Sequence, residues 1–299
     1  SMRTKIECPT EFLRKGELRD LLFKYGCSLS EDPLCLIVNP GTNFYLDERY
    51  FSKFENLKVV GTPSTGVSHM DTKYLEDNDI EYRCLLDNRN TLENIHASAE
   101  FTWMHIMNCF RKFTMAAKRH RYWRTQTNEE LLRSNELAGK KIGIIGMGRI
   151  GRKIAKYAAA FEMDICYYDP YVDNENHKKV KSIDELKDCD IISINCYLTK
   201  ETKNLISNDV FEDFKDGLIV VNTSRGEVVN EEYIYELINS GKIIYSCDVL
   251  CNEQNMYDLK KSKLFKLNHD NFLVTPHVAG ATVESQTKAL KGIIEACIK

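Results

Sequence analysis

Several things are missing from this chain of 299 residues, and each absence removes a class of function. No apolar run approaches the roughly 18 to 20 residues that span a bilayer, and the N-terminus lacks the apolar stretch of a secretory signal. A cytoplasmic protein without a membrane partner is therefore expected. An excess of one charge is also missing: 41 Lys and Arg face 44 Asp and Glu, a net charge of -3. Without a basic surplus to meet phosphate backbones, no nucleic-acid partner is expected. Cysteine is not scarce, but its 11 copies are scattered, odd in number and free of any C-x-x-C pair. That pattern predicts reduced thiols, with no metal site and no disulfide framework. Internal repeats and low-complexity tracts are absent as well. The opening Ser1-Met2 reads as a residue left by tag cleavage ahead of the natural start. What remains, 43% hydrophobic and 28% charged, is an ordinary globular composition long enough for two domains.

Along the chain, short β-branched and apolar runs alternate with stretches of helical character. In the first third the strand candidates are residues 5–8, 34–38, 57–60 and 80–85, with helical stretches over 11–24 and 47–54. Residues 97–124, without Gly or Pro, read as a helix extending into a polar stretch, placed as a bridge between domains. Beyond Leu137 six strands are expected, at 141–145, 164–168, 191–194, 218–222, 243–247 and 272–275, most of them separated by helical stretches. Alternation of this kind implies parallel sheets with helical crossovers, and six strands is the size of a doubly wound dinucleotide fold. A last helix is expected over 282–298, packing back onto the first domain.

The strand at 141–145 runs directly into Gly146-Met147-Gly148-Arg149-Ile150-Gly151 and then into an Ala-rich helical stretch. A bare G-x-G-x-x-G is a weak signal, but between a strand and a helix each glycine has a use. The first permits the tight turn, the second lets a pyrophosphate approach the backbone, and the third lets helix pack on strand. The helix start, from Arg149 and Ile150, offers free N–H groups to phosphates. About 20 residues on, the next strand ends in Asp169-Pro170, where a carboxylate can accept from ribose hydroxyls and repel a 2'-phosphate. The cofactor expected is NAD.

Three later segments carry chemistry. Asn222-Thr223-Ser224-Arg225-Gly226 offers a guanidinium fork, which can hold a carboxylate and polarise a neighbouring carbonyl. Asp248 and Glu253 bracket a second segment, and Thr275-Pro276-His277 supplies an imidazole, the side chain best suited to proton transfer near neutral pH. In order and spacing these segments resemble the N-x-[AS]-R-G, D-V-x-x-x-E and T-P-H-x-x-G-x-T motifs of the D-isomer-specific 2-hydroxyacid dehydrogenases. The run from Leu137 to Gly146 is similar to that family's L-x-G-K-x-[LI]-G-I-I-G segment, and the resemblance covers essentially the whole chain.

The resemblance implies two doubly wound parallel α/β domains. A flavodoxin-like substrate-binding domain would comprise residues 2–97 and 282–299, and a Rossmann NAD-binding domain residues 98–281. It implies hydride transfer between NAD(H) and C2 of a small D-2-hydroxy or 2-oxo acid bound between them, in a homodimer with the aromatic-rich segment 101–123 as its interface. Arg225, Glu253 and His277 would be catalytic, with Glu253 orienting the imidazole. Gly146, Gly148, Arg149, Ile150, Gly151, Asp169, Pro170, Cys196, Thr202, Thr223, Ser224 and Asp248 would line the cofactor, Asp248 near its carboxamide. Ser64, Thr65 and Gly66, with Arg225, would bind the substrate carboxylate, the first three through backbone N–H groups. Ala99-Glu100 matches the start of the family's long helix. His69 reads as a structural or exposed residue, and His105 as a core, interface or surface one.

The chain departs from the family pattern in places. Asn195-Cys196-Tyr197 replaces a common H-x-P segment and is similar to NAD-dependent formate dehydrogenases, but those carry Gln where Glu253 stands, so Glu253 favours hydroxyacid chemistry. Thr62 stands where many relatives place Arg or Lys, and Arg89 is a candidate to supply that charge. The alternative from another class is an NAD(H)-sensing, corepressor-like binding protein on the same fold, although no basic face or peptide-docking extension accompanies it here.

Overall fold

The computed structural model describes residues 4–7, 16–38 and 45–299, and divides into two compact units. One comprises Ser1–His96, Gln254–Met256 and Ala281–Lys299, the other Ala97–Glu253 and Tyr257–Gly280. Each is built on a parallel sheet.

In the first unit the strands are β1 (Thr4–Glu7), β2 (Cys27–Leu29), β3 (Cys35–Ile37), β4 (Val59–Gly61) and β5 (Glu81–Arg83), in the order β2-β1-β3-β4-β5. That is the flavodoxin-like order. Side chains of β3 show why both faces are covered. Cys35 and Ile37 enter a core with Leu22, Leu290 and Ile293, while Leu36 joins Phe51, Val60 and Leu75 on the opposite face. A strand apolar on both sides is stable only with helices above and below it. The helix Val283–Ile298 supplies part of one layer, and Thr282 caps it by accepting from Ser285 N–H at 3.1 Å. Four of these strands coincide with expected ones. β2 was not foreseen, because Cys27-Ser28-Leu29 carries no β-branched or aromatic residue and only Cys27 is buried. The end of the strand expected at 5–8 and the start of the helix expected at 11–24 lie outside the described residues.

The second unit contains β6 (Lys141–Ile145), β7 (Asp164–Tyr168), β8 (Lys178–Val180), β9 (Ile191–Ile194), β10 (Leu218–Asn222), β11 (Ile243–Cys247) and β12 (Phe272–Val274). Their order, β12-β11-β10-β9-β6-β7-β8, is the doubly wound dinucleotide arrangement with one further strand beside the sixth. Seven strands replace the six expected. The addition is β8, whose Lys178 and Lys179 are exposed and whose Val180 alone is buried. A charged edge strand shields the sheet from pairing with another chain, and for that reason it lacks the apolar alternation by which strands are recognised. β9 and β10 are buried throughout, as central parallel strands should be.

The segment 97–124, expected as a helix extending into a polar stretch, contains a break. A helix Ala97–Arg111 packs through Trp103, Ile106 and Phe110 into the core beside β6 and the helix Arg149–Ala160. It stops at Lys112, which adopts φ 56°, and a new helix runs from Phe113 to Lys118. Asn108 marks the break by accepting from both the N–H and the hydroxyl of Thr114, at 2.9 and 3.0 Å. No Gly or Pro announces it in the sequence. Among the described residues no helix is long and apolar enough to cross a membrane.

Candidate active site

Every candidate residue of the second unit lies just past the carboxyl end of a strand, where open parallel sheets bind their ligands. The glycine turn follows β6 at the point where strand order reverses between β6 and β9. Gly146 adopts φ +90°, and a Cβ on it would lie 2.7 Å from the Asn195 carbonyl oxygen. Only glycine allows both the turn and that approach. Gly151 is closer still, since a Cβ there would stand 2.1 Å from Gly146 O, so helix and strand can meet only without a side chain. Around Gly148, by contrast, the space is open. The N–H groups of Gly148 and Ile150 donate to no acceptor among the described residues. Free donors at the start of a 12-residue helix, facing open space, fit a pyrophosphate.

Asp169 closes the same turn. Its Oδ2 accepts from Met147 N–H at 2.8 Å and its Oδ1 from Tyr171 and Val172 N–H at 2.9 and 3.2 Å. The carboxylate thus holds the glycine loop and retains lone pairs for ribose hydroxyls. Pro170 beside it is exposed. Cys196 is half-buried next to Gly146, and burial pushes its thiol up to about 11, so it stands as a neutral thiol in neutral solution. Thr202 donates to Tyr197 O at 2.6 Å and accepts from Thr199 N–H at 2.8 Å, which closes the atypical 195–202 segment into a compact loop.

The reactive groups come together at the ends of β10, β11 and β12. Buried Asn222 shapes the first turn: its Oδ1 accepts from the N–H and hydroxyl of Ser224, and its Nδ2 donates to Arg225 O at 3.0 Å. Thr223 is tied to Thr102 of the long helix, with oxygens 2.6 Å apart. Arg225 donates from Nη1 to Ser224 O at 2.7 Å, and among the described residues no carboxylate forms an ion pair with it. Burial draws the guanidinium below its ordinary value, with the charges of Glu253 and Glu227 acting the other way. Arginine titrates so high that it stays charged regardless. The result is a half-buried cation with most of its donors unused.

His277 Nδ1 is hydrogen-bonded to Glu253 Oε1, and Glu253 Oε2 accepts from Leu250 N–H at 3.0 Å. The imidazole Nε2 bonds no group among the described residues, and about half of the side chain, 49%, is exposed. Desolvation draws this histidine down, but the hydrogen bond and charge of Glu253 together outweigh it, with Asp248 adding to the rise and Arg225 opposing it. The net effect holds the imidazole above the ordinary histidine range. Its backbone is left-handed at φ 56°, a conformation that costs a side-chain-bearing residue about 1 kcal/mol and needs anchoring.

Asp248 provides that anchor. Its Oδ1 accepts from Thr275 Oγ1 at 2.6 Å and Val278 N–H at 3.0 Å, and its Oδ2 from Ala279 N–H at 2.9 Å. A residue expected beside the cofactor thus spends three hydrogen bonds on the His277 loop. Two further carboxylates escaped the sequence reading. Glu231 Oε2 accepts from Cys251 N–H at 2.9 Å and Glu227 Oε1 from Asn252 N–H at 3.1 Å, so both brace the loop that carries Glu253. Glu227 stands two residues after Arg225 within a matched motif, which was the only available signal.

In the first unit, the loop after β4 forms a cradle of its own. His69, buried, lies 3.0 Å from Thr62 Oγ1, which lies 3.1 Å from Ser64 Oγ, and Ser64 donates to Gly66 O at 2.8 Å. The N–H groups of Ser64, Thr65 and Gly66 donate to no acceptor among the described residues. Three successive free N–H groups suit an anion. Thr62 thus serves the loop's internal bonding in place of a cation, and Arg89 lies exposed on a short helix.

A reversal-point glycine turn fits a dinucleotide, and a His–Glu pair with an arginine whose donors are largely unused supplies groups able to move a proton and hold an anion. The comparisons with known proteins agree. Residues 103–279 match the family model described as D-isomer specific 2-hydroxyacid dehydrogenase, NAD binding domain. The chain belongs to this family, whose cofactor is NAD. It is 33% identical over 247 residues to D-3-phosphoglycerate dehydrogenase of Archaeoglobus fulgidus, covering 81% of this chain but 45% of that protein. This chain therefore spans about half the length of that relative. Hydroxypyruvate reductase of Thermotoga maritima is 29% identical over 304 residues, with 99% of this chain and 92% of that protein covered. Among solved structures, D-lactate dehydrogenase from Aquifex aeolicus, complexed with NAD and lactic acid, superposes with a TM-score of 0.78 at 26% identity, covering 98% of this chain and 95% of that one.

Proposed function

We propose that the chain is an NAD-dependent D-2-hydroxyacid dehydrogenase that interconverts a small 2-oxo acid and its D-2-hydroxy acid. The observation that carries this reading is the half-buried, unpaired Arg225 beside an imidazole whose Nδ1 is held by Glu253 and whose Nε2 is free. A guanidinium with unused donors takes a carboxylate in a fork, and a 2-oxo acid presents a carboxylate next to the carbonyl to be reduced. The glycine turn after β6 and Asp169 would hold NADH, which would supply the hydride for C2. Arg225 holds the carboxylate and draws charge toward the carbonyl oxygen. His277, whose protonated form Glu253 favours, hands its Nε2 proton to that oxygen as the carbonyl pair moves onto it. In the oxidative direction the neutral imidazole takes the proton back. In the first unit, the free N–H groups of Ser64, Thr65 and Gly66 support the same reading, since they offer a carboxylate the donors it takes.

Domain roles belong to the proposal too: residues 2–97 and 282–299 bind substrate, and residues 98–281 bind NAD. So does a homodimer, supported by the exposed Phe113, Tyr122 and Trp123 that follow the long helix. Ten free cysteines among the described residues favour a reducing, cytoplasmic setting. The test is NADH oxidation at 340 nm with a panel of 2-oxo acids, run beside His277→Ala. Turnover on one class of acid, lost in the variant, supports the assignment. Near-wild-type turnover by the variant would remove His277 from it, and silence across the panel despite tight NADH binding would favour an NAD(H)-sensing protein.

A further inference from the structure

The second unit buries a second histidine that the proposed reaction leaves unused. His105, on the helix Ala97–Arg111, is 2% exposed, and both its ring nitrogens are engaged. Nδ1 lies 2.5 Å from Ser246 Oγ and Nε2 lies 2.9 Å from Thr275 Oγ1. The direction of each bond follows from proton counting. Thr275 donates its only hydroxyl proton to the Asp248 carboxylate at 2.6 Å, so toward His105 it can only accept. Nε2 must then carry the ring proton. Burial draws this imidazole down, against the opposing charge of Asp248, which keeps the ring neutral and leaves Nδ1 to accept from Ser246. The order runs from the Ser246 hydroxyl to His105, from His105 to Thr275, and from Thr275 to Asp248.

Asp248 also accepts from the N–H groups of Val278 and Ala279. The chain of buried donors therefore ends on the loop whose left-handed residue is His277. Packing alone does not call for an imidazole at position 105, since its helix neighbours Ile106, Cys109 and Phe110 fill the core as apolar groups. A buried ring with two polar nitrogens is tolerated only when both are satisfied, and here both are used in one direction.

We propose that His105 is a positioning residue for His277: through Thr275 and Asp248 it holds residues 275–279 in the backbone conformation that presents the His277 imidazole. The proposal deepens the reading of His277 as the proton donor and rests on it. The experiment uses the full-length chain in three variants. His105→Leu removes both ring nitrogens at similar volume, His105→Gln returns a donor near the place of Nε2, and Thr275→Val removes the hydroxyl that links the ring to Asp248.

Amide hydrogen exchange is read first, with no substrate present. In His105→Leu, protection of the Val278 and Ala279 amides is expected to fall about tenfold, with the strands β6, β9 and β10 unchanged. On the best 2-oxo acid, kcat falls about tenfold while KM and NADH affinity hold. His105→Gln recovers both, and Thr275→Val reproduces the loss without adding to it when combined with His105→Leu. Unchanged protection in His105→Leu overturns the proposal, as does a loss spread evenly over the sheet. Should His105→Leu fail to fold, Thr275→Val decides by the same two measurements. Absence of turnover on every acid bears on the proposed function alone, because the exchange experiment needs none.

Discussion

Replacing Gly226 by alanine tests whether the spacing of two loops sets the chemistry. Gly226 directly follows Arg225, and a Cβ built on it would lie 2.1 Å from the Leu250 carbonyl carbon and 2.4 Å from both Leu250 O and Cys251 N. These are backbone atoms, which cannot swing aside as a side chain would. Carbon atoms in ordinary contact stand about 3.5 Å apart or more, so the two loops must separate by about 1 Å. One loop carries Arg225 and the other leads into Glu253, which orients His277. Overpacking of this kind costs about 1 to 3 kcal/mol, which lowers Tm by about 3 to 10 °C in a domain of this size. The catalytic loss should be larger in proportion. A misplacement of about 1 Å between reacting groups costs on the order of 100-fold in kcat/KM, equivalent to about 2.7 kcal/mol of barrier. The assay pairs a thermal melt and an NADH fluorescence titration with kcat/KM on the best 2-oxo acid. NADH affinity should stay within about twofold, because the glycine turn after β6 shares no partner with Gly226. If Tm falls and kcat/KM does not, the link from loop spacing to chemistry is wrong. If neither changes, the close approach itself is wrong.

Glu253→Gln keeps an acceptor for His277 Nδ1 but removes the charge that lifts the imidazole against desolvation. A histidine raised in this way stabilises the folded chain below its ordinary pKa and loses that contribution as pH rises through the raised value. With the charge gone, the alkaline limb of kcat/KM for reduction should move to lower pH, and a limb that stays in place would count against Glu253. Arg225→Lys retains the charge but not the planar fork, and should lower kcat/KM on the order of 100-fold with NADH binding nearly unchanged. A loss confined to NADH affinity would instead assign Arg225 to the cofactor. Asp169→Ala removes the bond to Met147 of the glycine loop, the two to Tyr171 and Val172, and the carboxylate offered to ribose. It should weaken NADH and narrow its advantage over NADPH, as read by titration of each, and an unaltered ratio would sink the ribose role.

Much of this protein was legible in its residues because the relevant signals are local. The glycine turn between strand and helix, Asp169 at the next strand end, and the segments holding Arg225, Glu253 and His277 each lie within a few residues of a strand they follow. Short, nearly continuous apolar runs likewise announced the central strands, which are buried on both faces. β8 escaped because two of its three residues are solvent-facing lysines, and the break at Lys112 escaped because Asn108, rather than a glycine or proline, sets it.

The sequence by itself determined the family, the cofactor fold and which residue types could carry the reaction, since those depend on short motifs in a fixed order. Only the tertiary structure decided how these groups are held. Asp248, expected beside the cofactor, turns its carboxylate to the His277 loop. Glu227 and Glu231 brace the loop of Glu253 from another part of the chain. His105, an unremarkable helix position on paper, has both ring nitrogens bonded to residues more than a hundred positions away. Hydrogen-bond partners separated by that much sequence leave no periodicity and no motif, and become visible only when the sheet brings its strand ends together.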